Sequence, residues 1–536
     1  MRPTPLRSLL SAALAAVVLA CVAMALWVSP AAADEAASMY QSASVGAIDL
    51  TLEPAAIAAL EADPDTYQPG MFSFAADAAP AGGGTFTAPR KVEVRLKGNA
   101  SFRPIKDGKA AFKLKFKKEE AFLGLRKMTL NNMVEDPSMT HETLAYAAFR
   151  AAGVPAPRTG FVNLRLNGEN FGVYLNLETL DEVALKNLFG SFDKKTQHLY
   201  EGELGADVRP GGGADFEIDE GEESRTDLEA LIAAVNSSGS ASWSTRVAAN
   251  ADLAEMTRMW AVEHYVGHWD GYAGIDDGYQ PSNYYLYSDP LGRFQMLPWG
   301  TDSTWDEDKQ ADYGEGAGLM FSKCLADQPC EATYRQSLAS ACGAIAGVGL
   351  DSFATTTAAL LAPWQQAEQA NSRHEHSLKA IAAGVAETRE FIAARPSQAA
   401  AWLKAPCHTT PPPSEPVIPA DAGASAVAVA SPAAKLRLGR ARLESEALTT
   451  ELTLPGPGTV VQRATIATAA GPLLACHVRR EVKRGRDLTL RCPLVPAVRE
   501  RLRKRWLRLT VVTRFEPASG AAEEGTQRIR LRRTGA

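Results

Sequence analysis

Apolar and polar residues alternate over 47–52, 90–96 and 111–116, which predicts three strands, each with one buried face. Asp136-Pro137 supplies an N-cap and a proline for a first helical turn, and predicts a helix running to about residue 152. Gly153 and Pro155 close it. Two apolar runs, 161–166 and 172–177, flank Asn167-Gly168, the dipeptide best suited to a tight hairpin turn. The spacing is helical over 253–268. A second hairpin is predicted from 283–287 and 293–297, turning through 288–292. An Ala-rich stretch over 334–395 reads as a helical subdomain. Past 434 the texture changes to short Thr-, Val- and Leu-rich runs at 448–454, 460–468, 488–492, 507–515 and 526–531, bounded by Gly and Pro. They predict a small all-β domain, an immunoglobulin-like sandwich, over 435–536. Between it and the α+β domain of 34–403 lies a Pro/Ala-rich linker, 404–434, with almost no charge.

The chain has 536 residues, 46% hydrophobic and 22% charged, enough to bury a sizeable core. Its formal net charge of -6 argues against a general nucleic-acid binder, which carries a basic surplus. Arg2 and Arg7 precede an apolar stretch, 9–28, that ends in Ser29-Pro30-Ala31-Ala32-Ala33. This arrangement predicts a signal peptide over 1–33. An uncleaved membrane anchor and a lipobox ending in Cys21 are the rival readings. All three imply export, to an extracellular or cell-envelope location. Cys324, Cys330, Cys342, Cys407, Cys476 and Cys492 form no CxxC, so disulfides are favoured over a zinc site. Proximity favours Cys324–Cys330, Cys342–Cys407 and Cys476–Cys492. The last domain is basic, with Arg479-Arg480, Lys483-Arg484 and 499–505, making it a candidate contact with cell-wall polymer or a membrane surface. A solvated face is the plainer reading.

Candidate chemistry gathers around the second hairpin. His268-Trp269-Asp270 ends a helix and opens a Gly-rich loop, where an Asp can align an acceptor hydroxyl. Asn283 begins one hairpin arm. Asp302 follows the other, after Leu297-Pro298-Trp299, so the arms bring two hard oxygen ligands to one mouth. His264 and His268 stand four apart on the predicted helix without a third ligand. The acidic run from Asp215 to Glu223 reads as a solvated loop or a lid.

The ordered set of motifs resembles the CotH family of atypical protein kinases. Its residues are Arg95-Leu96-Lys97-Gly98-Asn99-Ala100-Ser101, then Lys109 and Phe112-Lys113-Leu114-Lys115-Phe116, then Phe122-Leu123-Gly124-Leu125 and Asp136. Asn167-Gly168-Glu169, Gly172-Val173-Tyr174 and Glu178 follow, and the set closes on Asn283-Tyr284-Tyr285-Leu286-Tyr287 and Pro298-Trp299-Gly300-Thr301-Asp302. The resemblance implies a two-lobed kinase-like fold that uses ATP and Mg2+ (or Mn2+) to phosphorylate Ser or Thr of exported or cell-surface proteins. Carried over, Asp270 matches the catalytic Asp, Asp302 a metal ligand and Asn283 its polar companion. Lys115, with Lys109 in reserve, matches the phosphate-binding cation. Arg95, Asn99 and Glu178 fall among the nucleotide-binding positions. The family pattern has two acids in W-D-x-D where this chain has Gly300. That departure points to the alternative, a surface-binding or assembly module of adhesin type with little or no turnover.

Overall fold

The computed structural model describes residues 35–407 and 436–531, apart from 81, 203, 275–279, 372, 440, 445–446, 455, 469–470, 483–486, 495–497, 499–506 and 518–522. The signal segment 1–33 and nearly all of the linker lie outside the described residues. Seven strands form a closed barrel: β1 (Val45–Leu52), β2 (Gln68–Ala75), β3 (Arg90–Lys97), β4 (Ala111–Lys115), β5 (Lys127–Asn131), β6 (Thr159–Leu166) and β7 (Glu169–Leu177), in the order β1-β2-β3-β4-β5-β7-β6. Only β1 and β6 pair in parallel. Alternation does the work here: Ile48, Leu50 and Leu52, Val92, Val94 and Leu96, and Phe112 and Leu114 turn inward and fill the barrel. The opposite face of β3 and β4 carries Glu93, Arg95, Lys97, Lys113 and Lys115, with Arg95 opposite Lys113 and Glu93 opposite Lys115. At the β6–β7 turn, Asn167 and Gly168 adopt φ of 52° and 82°, as a primed hairpin turn requires.

Beyond the barrel, β8 (His198–Gly202), β9 (Phe216–Glu220), β10 (Tyr284–Ser288) and β11 (Phe294–Pro298) form a sheet ordered β11-β10-β8-β9. The acidic run expected to be loop thus contains strand β9. Phe216 is buried against the large core, and Glu220 pairs with Lys127 and Lys194, so the acids stabilise an edge strand. Helix Leu253–Val266 is buried nearly all round, and Gly267, left-handed at φ 65°, stops it. Helices Gln328–Ala346, Leu350–Glu368 and Leu378–Leu403 make up the expected helical region. The helix expected from Asp136 begins instead at His141. Asp136 still serves it, since its carboxylate accepts the backbone N–H groups of Ser138 and His141 through an intervening turn.

In the C-terminal region β12 (Arg437–Leu438), β13 (Arg442–Glu444), β14 (Ala447–Thr453) and β17 (Asp487–Pro493) form one four-stranded sheet. β15 (Gly458–Thr468), β16 (Gly471–Val482), β18 (Leu507–Pro517) and β19 (Glu523–Leu531) form another. Leu448 and Cys492 from the first share a core with Ala464, Ile466 and Val511 from the second, so the sheets pack face to face. β12, β13 and β16 were absent from the expected strands. Three disulfides pair Cys324–Cys330, Cys342–Cys407 and Cys476–Cys492, as proximity favoured, and fit an oxidising compartment. Cys342–Cys407 closes a separation of 65 residues, for which loop-closure entropy gives about 4 kcal/mol.

Three buried glutamates, Glu142, Glu255 and Glu263, have carboxyls pushed up to about 8 by burial. Each keeps in the fold a proton that the unfolded chain gives up near its ordinary value of 4.5. Their stabilising contribution is therefore present below about 4.5 and is lost as pH rises through about 8. Glu255 lies far from the cleft, accepting the Met296 N–H at 3.0 Å. The gap in melting temperature between wild type and Glu255→Gln should shift in favour of the variant as pH rises from 5 to 9. Parallel melting curves would contradict the assignment.

Candidate active-site cleft

A cleft of about 1150 Å³ opens between the barrel and the second sheet. From the barrel it is bordered by Arg95, Lys97, Gly98, Asn99, Lys113 and Asn131, and from the start of the next helix by His141 and Glu142. Asp270, Asn283, Gly300 and Asp302 border it as well, with Asp302 O 3.0 Å from His141 Nδ1.

Asp270 sits where it does because of the loop around it. The buried Glu263 carboxyl accepts the N–H groups of Tyr272 at 2.9 Å and Ala273 at 3.0 Å. His268, its imidazole pushed down to about 4 by burial and hence neutral, joins Gly300 O at 3.2 Å through Nε2. That bond links the Asp270 loop to the segment leading to Asp302. The Asn283 amide then donates to Asp270 Oδ2 at 2.6 Å and to Asp270 O at 2.9 Å. His264, the other member of the histidine pair, is spent on Trp260 O and Glu315 O.

Across the cleft Lys97 Nζ donates to Asn131 Oδ1, and Asn131 Nδ2 donates to Glu142 at 2.9 and 2.8 Å. Burial lowers the Lys97 pKa, opposed by the Glu142 charge. Burial likewise raises Asp302, with Lys97 opposing. One cation and two carboxyls thus share a low-dielectric floor.

The remaining positions divide. Arg95 and Asn99 border the cleft, Arg95 with its guanidinium 2.8 Å from Asp65. Lys115 lies further along β4, outside the lining, 3.9 Å from Glu93 and over the Tyr67 ring. Lys109 is buried away from the cleft, 2.6 Å from Glu368. Glu178 is held by Arg158, at 2.6 Å from its terminal nitrogen. The sequence reading left Lys97, Lys113, Asn131 and Glu142 without a role. Strand alternation did put Lys97 and Lys113 on the face of Lys115; which end of that face borders the cleft follows from barrel register.

Gly300 has a local cause. Its φ is 52°, and a Cβ there would lie 2.7 Å from Asn283 Cγ and nearer still to Oδ1. Gly300→Asp should therefore displace Asn283 from Asp270, and cost about 1–3 kcal/mol in backbone strain. The variant is expected to melt earlier than wild type. Unchanged stability would show that the two-acid arrangement is accessible to this backbone.

Residues 94–338 match the protein family described as "CotH kinase protein". The chain is 26% identical over 246 residues to "Inner spore coat protein H" of Bacillus subtilis (strain 168), covering 43% of this chain and 66% of that protein. It is 39% identical over 82 residues to the "Inner spore coat protein H-like protein" of the same organism, covering 15% of this chain and 26% of that protein. The chain thus spans just under two thirds of the first relative and about a quarter of the second.

Proposed function

Since the chain belongs to the CotH family, we propose that its cleft transfers phosphate from ATP to Ser or Thr hydroxyls of exported or cell-surface proteins. In this reading the barrel and the part carrying β8–β11 act as the two lobes of an atypical kinase, and the C-terminal sandwich is an immunoglobulin-like accessory domain. One observation carries the reading: a single cleft is lined both by Lys97, Lys113 and Arg95 and by Asp270, Asn283 and Asp302. Phosphoryl transfer needs this division, cations for the phosphates and an acid to align the acceptor.

Among the described residues no three acidic, His or Cys side chains converge as a ready-made cation cage. The Asp302 carboxylate and the Asn283 amide oxygen are nonetheless hard donors of the kind magnesium accepts beside phosphate oxygens and water. They would hold Mg2+ or Mn2+ that arrives with the nucleotide, and the ion would supply neutralisation of phosphate charge. Asp270, kept in place by Asn283, aligns the acceptor hydroxyl and takes its proton. Lys97 and Lys113 take the phosphates as point charges. Lys115, Lys109 and Glu178 have no part in this assignment, because their partners lie elsewhere.

Gly300 supports a second reading, in which the cleft binds without turnover and the protein serves as a surface-binding or assembly module. Calorimetry of ATP binding with and without magnesium tests the first step, and transfer of labelled γ-phosphate to a Ser/Thr-containing acceptor separates the readings. Metal-dependent binding with transfer supports the kinase. Binding without transfer supports the module, and no binding under either condition refutes the nucleotide site. The disulfides and the relatives' spore-coat names support an exported, surface-associated protein.

A further inference from the structure

We propose that Asn131 is a positioning residue that holds Lys97 in the cleft and stands as a relay between that ammonium and Glu142. The assignment rests on the phosphotransfer reading and names a component that reading does not contain. Lys97 ends β3 and pairs with Ala111 at the start of β4. Phe112 pairs with Leu130, so Asn131 at the end of β5 falls one step further, beside Ala111. Lys97, Ala111 and Asn131 therefore form a row across three strands. The middle residue is small enough for the lysine stem to cross it.

The bonding shows the direction of the relay. Asn131 Oδ1 accepts from the Lys97 ammonium, while Nδ2 donates to both Glu142 oxygens, at 2.9 and 2.8 Å. A flipped amide would set its NH2 against the ammonium, which has no acceptor, so Lys97 dictates the orientation. Asn131 is buried, 8% exposed, so this geometry is shielded from competing water.

The relay has a chemical consequence. A lysine bonded directly to a carboxylate spends its charge on that partner. Lys97 instead spends one of its three ammonium N–H groups on a neutral amide. It borders the cleft with the rest of its donors available to an anion. Asn131 transmits the position of Glu142, and so of the helix His141–Ala151 that carries it, to the phosphate-binding cation. Asn131 itself borders the cleft, and the role assigned to it here is exerted through Lys97.

A charge-swap cycle tests the assignment. Asn131→Asp sets two carboxyls against each other and pairs Lys97 directly, whereas adding Glu142→Gln removes the opposed carboxyl and leaves Lys97 paired. MgADP affinity, ATP KM and kcat, and melting temperature are measured on the full chain for wild type, both single variants and the double variant. Asn131→Asp is expected to weaken MgADP at least tenfold and to raise ATP KM more than it lowers kcat. The double variant should recover stability but not affinity, because Lys97 is still paired directly with a carboxylate. A purely structural role would lower stability and leave the affinity of the folded fraction unchanged. If Asn131→Asp does not fold, Asn131→Ser, which cannot span both partners, is expected to weaken MgADP in the same direction. Wild-type affinity in Asn131→Asp, or a double variant that regains wild-type MgADP affinity, overturns the relay alone. Failure of the wild type to bind MgADP overturns the phosphotransfer reading, and the relay with it.

Discussion

Asp270→Ala is expected to lower phosphate transfer by about 10²–10⁴-fold while nucleotide affinity stays within a few-fold of wild type. The asymmetry follows from where Asp270 stands. In the proposed function it aligns the acceptor while Lys97 and Lys113 take the phosphates, and its carboxylate is engaged by the Asn283 amide, so removing it takes away none of the proposed phosphate-binding cations. Asp270→Asn should be nearly as inactive, since an amide fills the same space without accepting a proton. The loop itself should survive both changes, because Glu263 holds Tyr272 and Ala273, and His268 holds Gly300, independently of the Asp270 side chain. Single-turnover transfer of labelled phosphate, read beside ATP calorimetry, checks both halves. Transfer undiminished in Asp270→Ala would remove the residue from the mechanism, and loss of binding together with transfer would recast it as a nucleotide or metal ligand.

The local rules that gave the barrel strands, the Asn167-Gly168 hairpin and the helix from Leu253 work because each depends on residues adjacent in the chain. β2, β5 and β16 escaped the reading, as did β8, β9, β12 and β13. Pro69 and Gly70 interrupt the first, the second is only five residues long, and the third carries Arg479-Arg480, which read as surface. The site was legible in the same uneven way. Asp270, Asn283 and Asp302 could be brought together because one hairpin lies between them and limits how far apart they can fall. The cations could not. Lys97, Lys113 and Lys115 occupy equivalent alternating positions, and only the closed order of the barrel decides which of them border the cleft. Glu142, in the first turn of its helix, is indistinguishable in sequence from an acid placed there for the helix dipole. Its burial beside Asn131 depends on two elements that meet only in the fold.

Lys109→Met, on a residue that stood in reserve for the phosphate cation, should act on stability instead. The cost expected is about 3–5 kcal/mol, or on the order of 10 °C in melting temperature, with MgATP affinity unchanged in the folded protein. The Lys109 ammonium lies 2.6 Å from Glu368 Oε1, with side-chain exposures of 2% and 5%, and near the face of the Tyr174 ring at 5.4 Å. The other Glu368 oxygen accepts the Val173 N–H at 3.0 Å, so this one carboxylate bolts helix Leu350–Glu368 to both β7 and the loop before β4. Removing either partner leaves the other charged and buried, which is why the single variants should be costly. Removing both is a different matter. Lys109→Met/Glu368→Leu replaces two desolvated charges with apolar groups of similar size, and should recover at least half of the loss suffered by either single variant. Thermal melts of the four proteins measure the coupling directly. A Lys109→Met protein of wild-type stability that binds MgATP at least tenfold more weakly would return Lys109 to the nucleotide, and would mean that the bolt to Glu368 opens when the cleft is in use.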